Sequence, residues 1–344
     1  MSKINVYDLT YEDWLNWVEK NAEPRFRAQQ IYDWLYLKNV NSFKEMSNLT
    51  NDLRARLDKQ FAFQNIVVAE QIESANTIKF LLKFEDGQTV ETVLMRHQYG
   101  NSICISTQVG CKMGCSFCAS TMSGWRRDLT AGEMVGQFLQ VERYLNKKSE
   151  RISSIVIMGI GEPFDNFTET MNFIKIANSE NGLNIGQRHI TISTSGIVPA
   201  IYRFADLKTQ VVLAISLHAA NNQLRRQLMP INERYPIEDL MAAVTYYVDT
   251  TGRRITFEYA LIRGVNDSEG AAIELAKLLK GIKAHVNLIP INPVSGKSYE
   301  RSSNFQLNLF KETLEKYMIK TTIRREYGSE IAAACGQLRS KDLT

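Results

Sequence analysis

The sequence predicts an α/β protein. Its main part is a partial barrel of six βα units, preceded by an N-terminal helical accessory region and a small β segment. Three observations carry this. From about residue 100, short β-rich runs alternate with longer stretches of helical periodicity, the signature of repeated βα units and a parallel sheet. Residues 1–63 place apolar side chains at helical spacing: Ile31, Trp34 and Leu35 at i, i+3, i+4, and Leu53 and Leu57 at i, i+4. Between these regions lie three short β-rich runs.

In chain order, helices are expected over roughly 8–20, 25–38 and 49–62. The runs IVVAEQIES, NTIKFLLKF and QTVETVLMR then fill about 66–96, with Asp86-Gly87 as the turn between the last two. The strands of the main part are SICIST, SSIVIMG, RHITIST, VVLAISL, RITFEYA and HVNLIP. The helices between them span roughly 130–146, 167–178, 197–205, 236–250 and 268–281. Six units curl part of the way round and fall short of the closed eight-fold barrel. The expected divisions are a helical domain over 1–63, a β linker over 64–96, a core over 97–330 and a C-terminal segment over 331–344.

A chain of 344 residues buries a core without covalent staples. The charge balance, 41 − 37 = +4, is mildly basic and permits a nucleic-acid partner without requiring one. No run approaches the ~18 apolar residues of a membrane span. The start, MSKINVYDLTYEDW, has no apolar secretory core, so a cytoplasmic protein is expected. Four of the five cysteines, Cys104, Cys111, Cys115 and Cys118, are clustered, and Cys335 stands apart. In a reducing compartment such clustering means metal binding or catalysis rather than a disulfide framework.

Ligand sites of parallel α/β sheets lie at the C-terminal strand ends. The first such loop reads Gln108-Val109-Gly110-Cys111-Lys112-Met113-Gly114-Cys115-Ser116-Phe117-Cys118. Its C-x3-C-x2-C spacing lets three thiolates wrap one soft metal centre. Structural zinc normally has four protein ligands, so Cys335 or a distant histidine would have to complete such a site. A [4Fe–4S] cluster on three cysteines keeps one iron open. The second strand ends in Met158-Gly159-Ile160-Gly161-Glu162-Pro163. This is not a dinucleotide loop, because Phe164 replaces the third glycine and Pro163 interrupts the helix start. Ser193 closes the third strand, Ser216, Leu217 and His218 the fourth, and Asn292 follows the sixth. Singly, the serines also suit helix caps and Asn292 a turn before Pro293. What sets them apart is that all fall at one end of the sheet.

The cysteine spacing on this loop, with aromatic Phe117 before the third cysteine, resembles the radical S-adenosylmethionine (SAM) enzymes. The resemblance implies that Cys111, Cys115 and Cys118 hold one [4Fe–4S] cluster whose open iron is chelated by SAM. It implies that Gly161, Glu162, Ser193, Ser216, Leu217, His218 and Asn292 contact SAM. Further motifs narrow it over nearly the whole chain: Gly-Glu-Pro-Phe-Asp-Asn (161–166), Leu228-Met229-Pro230-Ile231-Asn232, Ala-Cys-Gly-Gln-Leu-Arg (334–339) and Phe26-Arg27-Ala28-Gln29-Gln30-Ile31. These are similar to the bacterial radical SAM RNA adenine-C2 methyltransferases, which act on 23S ribosomal RNA and on certain tRNAs. Antibiotic-resistance relatives methylate C8 of the same rRNA adenine. Pro163 and Phe164-Asp165-Asn166 are similar to the C2 enzymes, a choice that rests on resemblance alone.

Adenine C2 lies between two ring nitrogens and is a poor nucleophile, so direct polar methylation is closed whereas a radical can add. The resemblance implies two SAM per turnover. Cys335 takes a methyl from the first and becomes S-methylcysteine. The second yields a 5′-deoxyadenosyl radical that abstracts hydrogen from this methyl, and the methylene radical adds to C2. Cys104 then attacks the Cys335 sulfur, forming a transient disulfide and freeing the base. Glu91 matches the family's proton acceptor, with Cys104 as the other candidate. Read singly, Cys104 is a small buried hydrophobe, Cys335-Gly336 a flexible exposed turn and Glu91 the solvent face of a strand.

Basic residues come in pairs: Arg126-Arg127, Lys147-Lys148, Arg225-Arg226, Arg253-Arg254 and Arg324-Arg325. Such pairs suit phosphates, and Trp125 or Tyr99 suit base stacking. The helical region, with Arg25, Arg27, Arg54 and Arg56, resembles the family's RNA-contacting domain. The resemblance further implies rRNA and tRNA as partners, an external electron donor such as flavodoxin with its reductase, no membrane and a monomeric chain. The competing readings are a radical SAM enzyme on a small molecule and a zinc-containing RNA-binding protein without turnover.

Overall fold

The structure, a computed structural model, describes residues 3–339, so positions 340–344 of the C-terminal segment lie outside the described residues. The N-terminal region holds helices α1 (Tyr11–Lys20), α2 (Phe26–Tyr36) and α3 (Asn51–Gln60). α1 begins at a capping box, in which Thr10 accepts the Asp13 N–H and Asp13 accepts the Thr10 N–H. The predicted apolar stripe faces inward: Ile31, Leu35, Leu53 and Leu57 are buried with Trp14 and Tyr32.

Ten strands form one open sheet. They are β1 (Val67–Glu73), β2 (Thr77–Lys83), β3 (Thr89–His97), β4 (Gly100–Cys104), β5 (Ile152–Ile157), β6 (Ile190–Thr194), β7 (Val212–Ser216), β8 (Ile255–Leu261), β9 (Ala284–Pro290) and β10 (Thr321–Ile323). Spatial order follows chain order from β1 to β10. β1 to β4 pair antiparallel and β4 to β10 pair parallel. The small β segment is thus continuous with the barrel sheet through the β3–β4 pairing. The Asp86-Gly87 turn is present, with Gly87 at φ +83°. β8 is buried along its whole length, as a strand covered on both faces must be. The outer edge, β1, is exposed, carries Glu70 and Glu73 and has a register shift between Val68 and Glu70.

The connecting helices are α4 (Ala131–Asn146), α5 (Phe167–Asn178), α6 (Val198–Asp206), α7 (Asn222–Leu228), α8 (Ile237–Thr251), α9 (Glu269–Leu278) and α10 (Asn304–Lys316). α7, α10 and β10 were not anticipated. α7 is too short for a periodicity argument. α10 does carry Leu307, Phe310 and Leu314 at helical spacing behind a Ser303 cap.

One buried side chain fixes where the chain leaves β4 for the first loop. Gln137 on α4 donates to the Ser106 carbonyl at 2.9 Å, accepts the Ser106 N–H at 2.9 Å and accepts the Thr92 hydroxyl at 2.8 Å. Gln137→Leu orphans three buried groups and is expected to cost about 1–3 kcal/mol per group left unpaired. Urea unfolding checks this, and an unchanged midpoint would contradict it.

Candidate active site

The loop from β4 to α4 is pinched shut at its base, where Gln108-Val109 pairs antiparallel with Arg127-Asp128. Gly110, at φ +74°, sits so close to the Gly124 carbonyl that a Cβ would fall 1.6 Å from its oxygen. Within the loop, the Ser116 N–H donates to the Leu228 carbonyl at 2.9 Å, and the Ser116 and Tyr299 hydroxyls lie 2.8 Å apart. Cys111 is buried, and Cys115 and Cys118 are partly so. Burial pushes the Cys111 thiol up to about 12, and the charges of Glu162 and Cys118 add to this. Burial likewise raises Cys115 and Cys118, and Cys115 also feels the other two thiols. Three thiols facing one another and resisting ionisation form a donor set that a cation makes stable. Soft sulfur donors of this kind suit an iron–sulfur cluster.

The loop overhangs a cavity at the C-terminal strand ends. Cys111, Cys115 and Cys118 line it, as do Gly161, Glu162, Ser193, Ser216, His218, Asn292 and Cys335. Leu217 does not: its side chain is buried in the core. Around the cavity, Asn292 Oδ1 and Thr107 Oγ1 are buried with no hydrogen-bond partner. Each such atom costs about 1–3 kcal/mol unless something bonds it. Unpaired polar atoms on residues that line one cavity beside three thiols fit a polar ligand such as SAM.

The second loop is pressed against the first. Gly161 has φ +106°, and a Cβ there would lie 2.7 Å from Gln108 Cβ. Glu162 accepts the Ser195 N–H at 2.7 Å and the Phe164 N–H at 3.0 Å, tying the second loop to the third. Burial raises its pKa, opposed by these bonds. His218 is buried at φ +58°. Its Nδ1 accepts the Ala260 N–H at 2.9 Å, so the neutral ring carries its proton on Nε2. It meets Phe117 edge-on at 4.9 Å, which joins the cysteine loop to the fourth strand end.

Cys104 ends β4 and lines a second cavity. Cys335, Asn292, Met158 and Arg324 border both cavities. Burial pushes the Cys104 thiol up to about 12, the charge of Cys335 adds to it, and Arg324 opposes it. All five cysteines are free in this structure. The Cys335-Gly336 turn is anchored, contrary to its flexible reading: the Gly336 carbonyl accepts the Ala119 N–H at 2.7 Å, and the Leu338 carbonyl accepts the Ser120 hydroxyl at 2.7 Å. Glu91 is buried too, contrary to its solvent-facing reading, and lies outside the lining of both cavities.

Sequence reasoning missed Arg324 and Glu258 as cavity residues. Arg324 Nη1 lies 3.6 Å from Glu258 Oε2 and 3.7 Å from Met158 Sδ. The nearby thiol of Cys335 and then Glu258 favour its charged form. Assigning the pairs Arg225-Arg226 and Arg324-Arg325 to RNA hid one member of each. Arg225 is fully buried and donates to the Ser195 and Leu217 carbonyls at 2.6 and 3.2 Å, so it organises strand ends rather than phosphates. In the helical region, Arg27 and Arg56 share Glu23, and Arg25 pairs with Glu19. Tyr99 is 80% exposed and lies parallel to His97 at 4.7 Å.

The sequence matches the Radical SAM superfamily over residues 105–276 and the ribosomal RNA large subunit methyltransferase N-terminal domain over residues 4–62. A crystal structure of a radical SAM methyltransferase from Sphaerobacter thermophilus superposes with TM-score 0.92 at 45% identity, covering 98% of this chain and 99% of that one. A probable dual-specificity RNA methyltransferase RlmN from Bacillus licheniformis is 54% identical over 98% of this chain and 94% of its own. One of the same description from Bacillus cereus is 53% identical over 99% and 95%. The fold and the cysteine-lined strand-end cavity define a radical SAM enzyme. The chain belongs to the RlmN family.

His218 carries a pH signature. Burial, with help from Arg225, lowers its pKa from 6.5 to about 3. A depressed folded-state value means that its stabilising contribution is present above 6.5 and lost as pH falls toward 3. His218→Gln is expected to flatten the fall of unfolding free energy in this window. Equal pH slopes for both proteins would show that another group is responsible.

Proposed function

We propose that the protein methylates C2 of an adenine in 23S rRNA and in tRNAs, with Cys335 as methyl carrier and Cys104 as resolving thiol. The observation that carries this is the position of Cys335 on the wall shared by two cavities. One holds the three loop cysteines and the other holds Cys104. Cys111, Cys115 and Cys118 would ligate one [4Fe–4S] cluster. Gly161, Glu162, Ser193, Ser216, His218 and Asn292 would contact SAM, with Leu217 contributing main chain only. When bound, these groups supply a methyl for transfer to sulfur and, after one-electron reduction, a hydrogen-abstracting radical.

The chain's own residues do the rest. Cys335 accepts the methyl as thiolate, with Arg324 as the cation beside it. His218, neutral, offers an Nε2–H donor. Once the carrier carbon is bonded to C2, one electron must leave, for which the cluster that Cys111, Cys115 and Cys118 would hold is the acceptor, and the C2 proton must leave to Glu91 or Cys104. The Cys104 thiolate then attacks Cys335 Sγ. The S–S bond forms as the S–C bond to the base breaks, and the carbon takes up a proton. An external reductant restores both thiols, so the disulfide is transient and compatible with the proposed cytoplasmic setting. A flavodoxin-type electron donor and a monomeric chain belong to the same proposal.

Cys335→Ala is expected to load cluster and bind RNA but form neither adduct nor product. Cys104→Ala is expected to accumulate covalent protein–RNA adduct. Mass spectrometry of digested RNA reads 2-methyladenosine, and 8-methyladenosine in its place would assign the other regiochemistry. Colourless protein holding one zinc would favour the non-catalytic reading.

For RNA, exposed Tyr99, stacked on half-buried His97, is the proposed platform. His97 Nδ1 lies 2.8 Å from the Tyr327 hydroxyl, and Tyr327 borders the Cys104 cavity. Tyr99→Ala is expected to weaken RNA binding by about 1–3 kcal/mol, the worth of one stacked base. Tyr99→Trp is expected to preserve it. Fluorescence-anisotropy titration at fixed salt measures both, and equal affinity in Tyr99→Ala would remove the platform from the account.

A further inference from the structure

Lys79 and Glu91 lie on the neighbouring strands β2 and β3. Lys79 is opposite Val93 and Glu91 opposite Leu81, so the two are diagonal neighbours on one face of the sheet. They are 6% and 1% exposed. Charges are seldom buried this deeply without full pairing. Lys79 Nζ is 3.1 Å from Glu91 Oε1, which engages one carboxylate oxygen and one ammonium proton. Each also bonds the C-terminal segment. Lys79 Nζ donates to the Ala332 carbonyl at 3.1 Å, and Glu91 Oε2 accepts the Arg339 N–H at 2.9 Å. Both partners are main-chain groups, so the pair reads the position of the segment whatever its side chains. The two grips fall three residues before and four residues after Cys335.

We propose that Lys79 and Glu91 are a two-point clamp that seats the methyl-carrier segment, with Lys79 as a positioning residue for Cys335. The proposal rests on the carrier role given to Cys335 above. Two features show why a clamp is needed. Apart from one 3-10 turn at Ser329–Ile331, the described part of this segment has no regular ladder of backbone bonds. It also turns through left-handed positions at Ala332 (φ +50°) and Gly336 (φ +81°), so its path is set by discrete contacts.

The test is made on full-length, cluster-loaded protein without SAM or RNA. Iodoacetamide alkylation of Cys335 is followed by peptide mass spectrometry, together with hydrogen exchange over 332–339. Lys79→Met removes one grip. Arg339→Pro removes the other by deleting a main-chain N–H outside the sheet. In both, alkylation of Cys335 is expected to speed up about tenfold, the change that loss of one charge-assisted bond allows. Exchange is expected to rise in 332–339, with cluster absorbance retained, and Lys79→Arg is expected to restore protection. Native-like protection of Cys335 in Arg339→Pro would overturn the clamp, whether or not Lys79→Met folds. Increased exchange across β1–β3 in Lys79→Met with no change at 332–339 would also overturn it, leaving a purely structural ion pair. Absence of S-methylcysteine after a separate incubation of the native protein with SAM would instead sink the carrier role, since the protection readout uses no methyl donor.

Discussion

The docking of residues 332–339 into the strand-end cavity is the constraint on which the rest of the site depends. The segment crosses the mouth of the parallel sheet and bonds to elements distant in sequence. Its Gly336 and Leu338 carbonyls bond the cysteine loop at Ala119 and Ser120. Gln337 reaches the Pro293 carbonyl at 3.0 Å, beside Asn292. Its two ends are held by β2 and β3. Without these bonds Cys335 would be one thiol on a C-terminal tail. With them it stands between the three loop thiols and Cys104.

The parallel sheet makes that docking possible. Seven parallel strands bring their C-terminal ends to one side, so residues from 111 to 335 converge on one cavity. The antiparallel strands are not an appendage to this arrangement. Continuing the sheet beyond β4, they place Lys79 and Glu91 where the returning segment can meet them. β10, only three residues long, delivers Arg324 and then the segment itself. The wall around Cys335 is correspondingly mixed in charge. Arg324 and Glu258 neutralise one another at 3.6 Å, leaving a cation near the two thiols without a large net field.

Much of this was legible in the sequence, and the reasons for the gaps are physical. Periodicity located most helices to within about two residues. The helix expected at 130–146 runs Ala131–Asn146, behind a Thr130–Glu133 capping box. The C-x3-C-x2-C spacing and the strand-end motifs are local patterns, and most of their residues share one cavity. What local patterns miss is long-range burial. Glu91 sits in an alternating strand and reads as solvent-facing, yet its partner Arg339 is 248 positions away. Arg225 and Arg324 read as ordinary members of basic pairs because composition carries no information on which guanidinium finds buried acceptors. α7 escaped because a seven-residue helix shows too little of its period.

The central claim is that Cys335, alone among five cysteines, carries the methyl group to be transferred. It is tested most directly by anaerobically loading the protein with iron and sulfide and incubating it with SAM bearing a labelled methyl, without RNA. The digested protein is then mapped by mass spectrometry. The expected result is one labelled methyl on the peptide containing Cys335 and none on peptides containing Cys104, Cys111, Cys115 or Cys118. Label on another cysteine, or none on Cys335 in cluster-loaded protein, would contradict it.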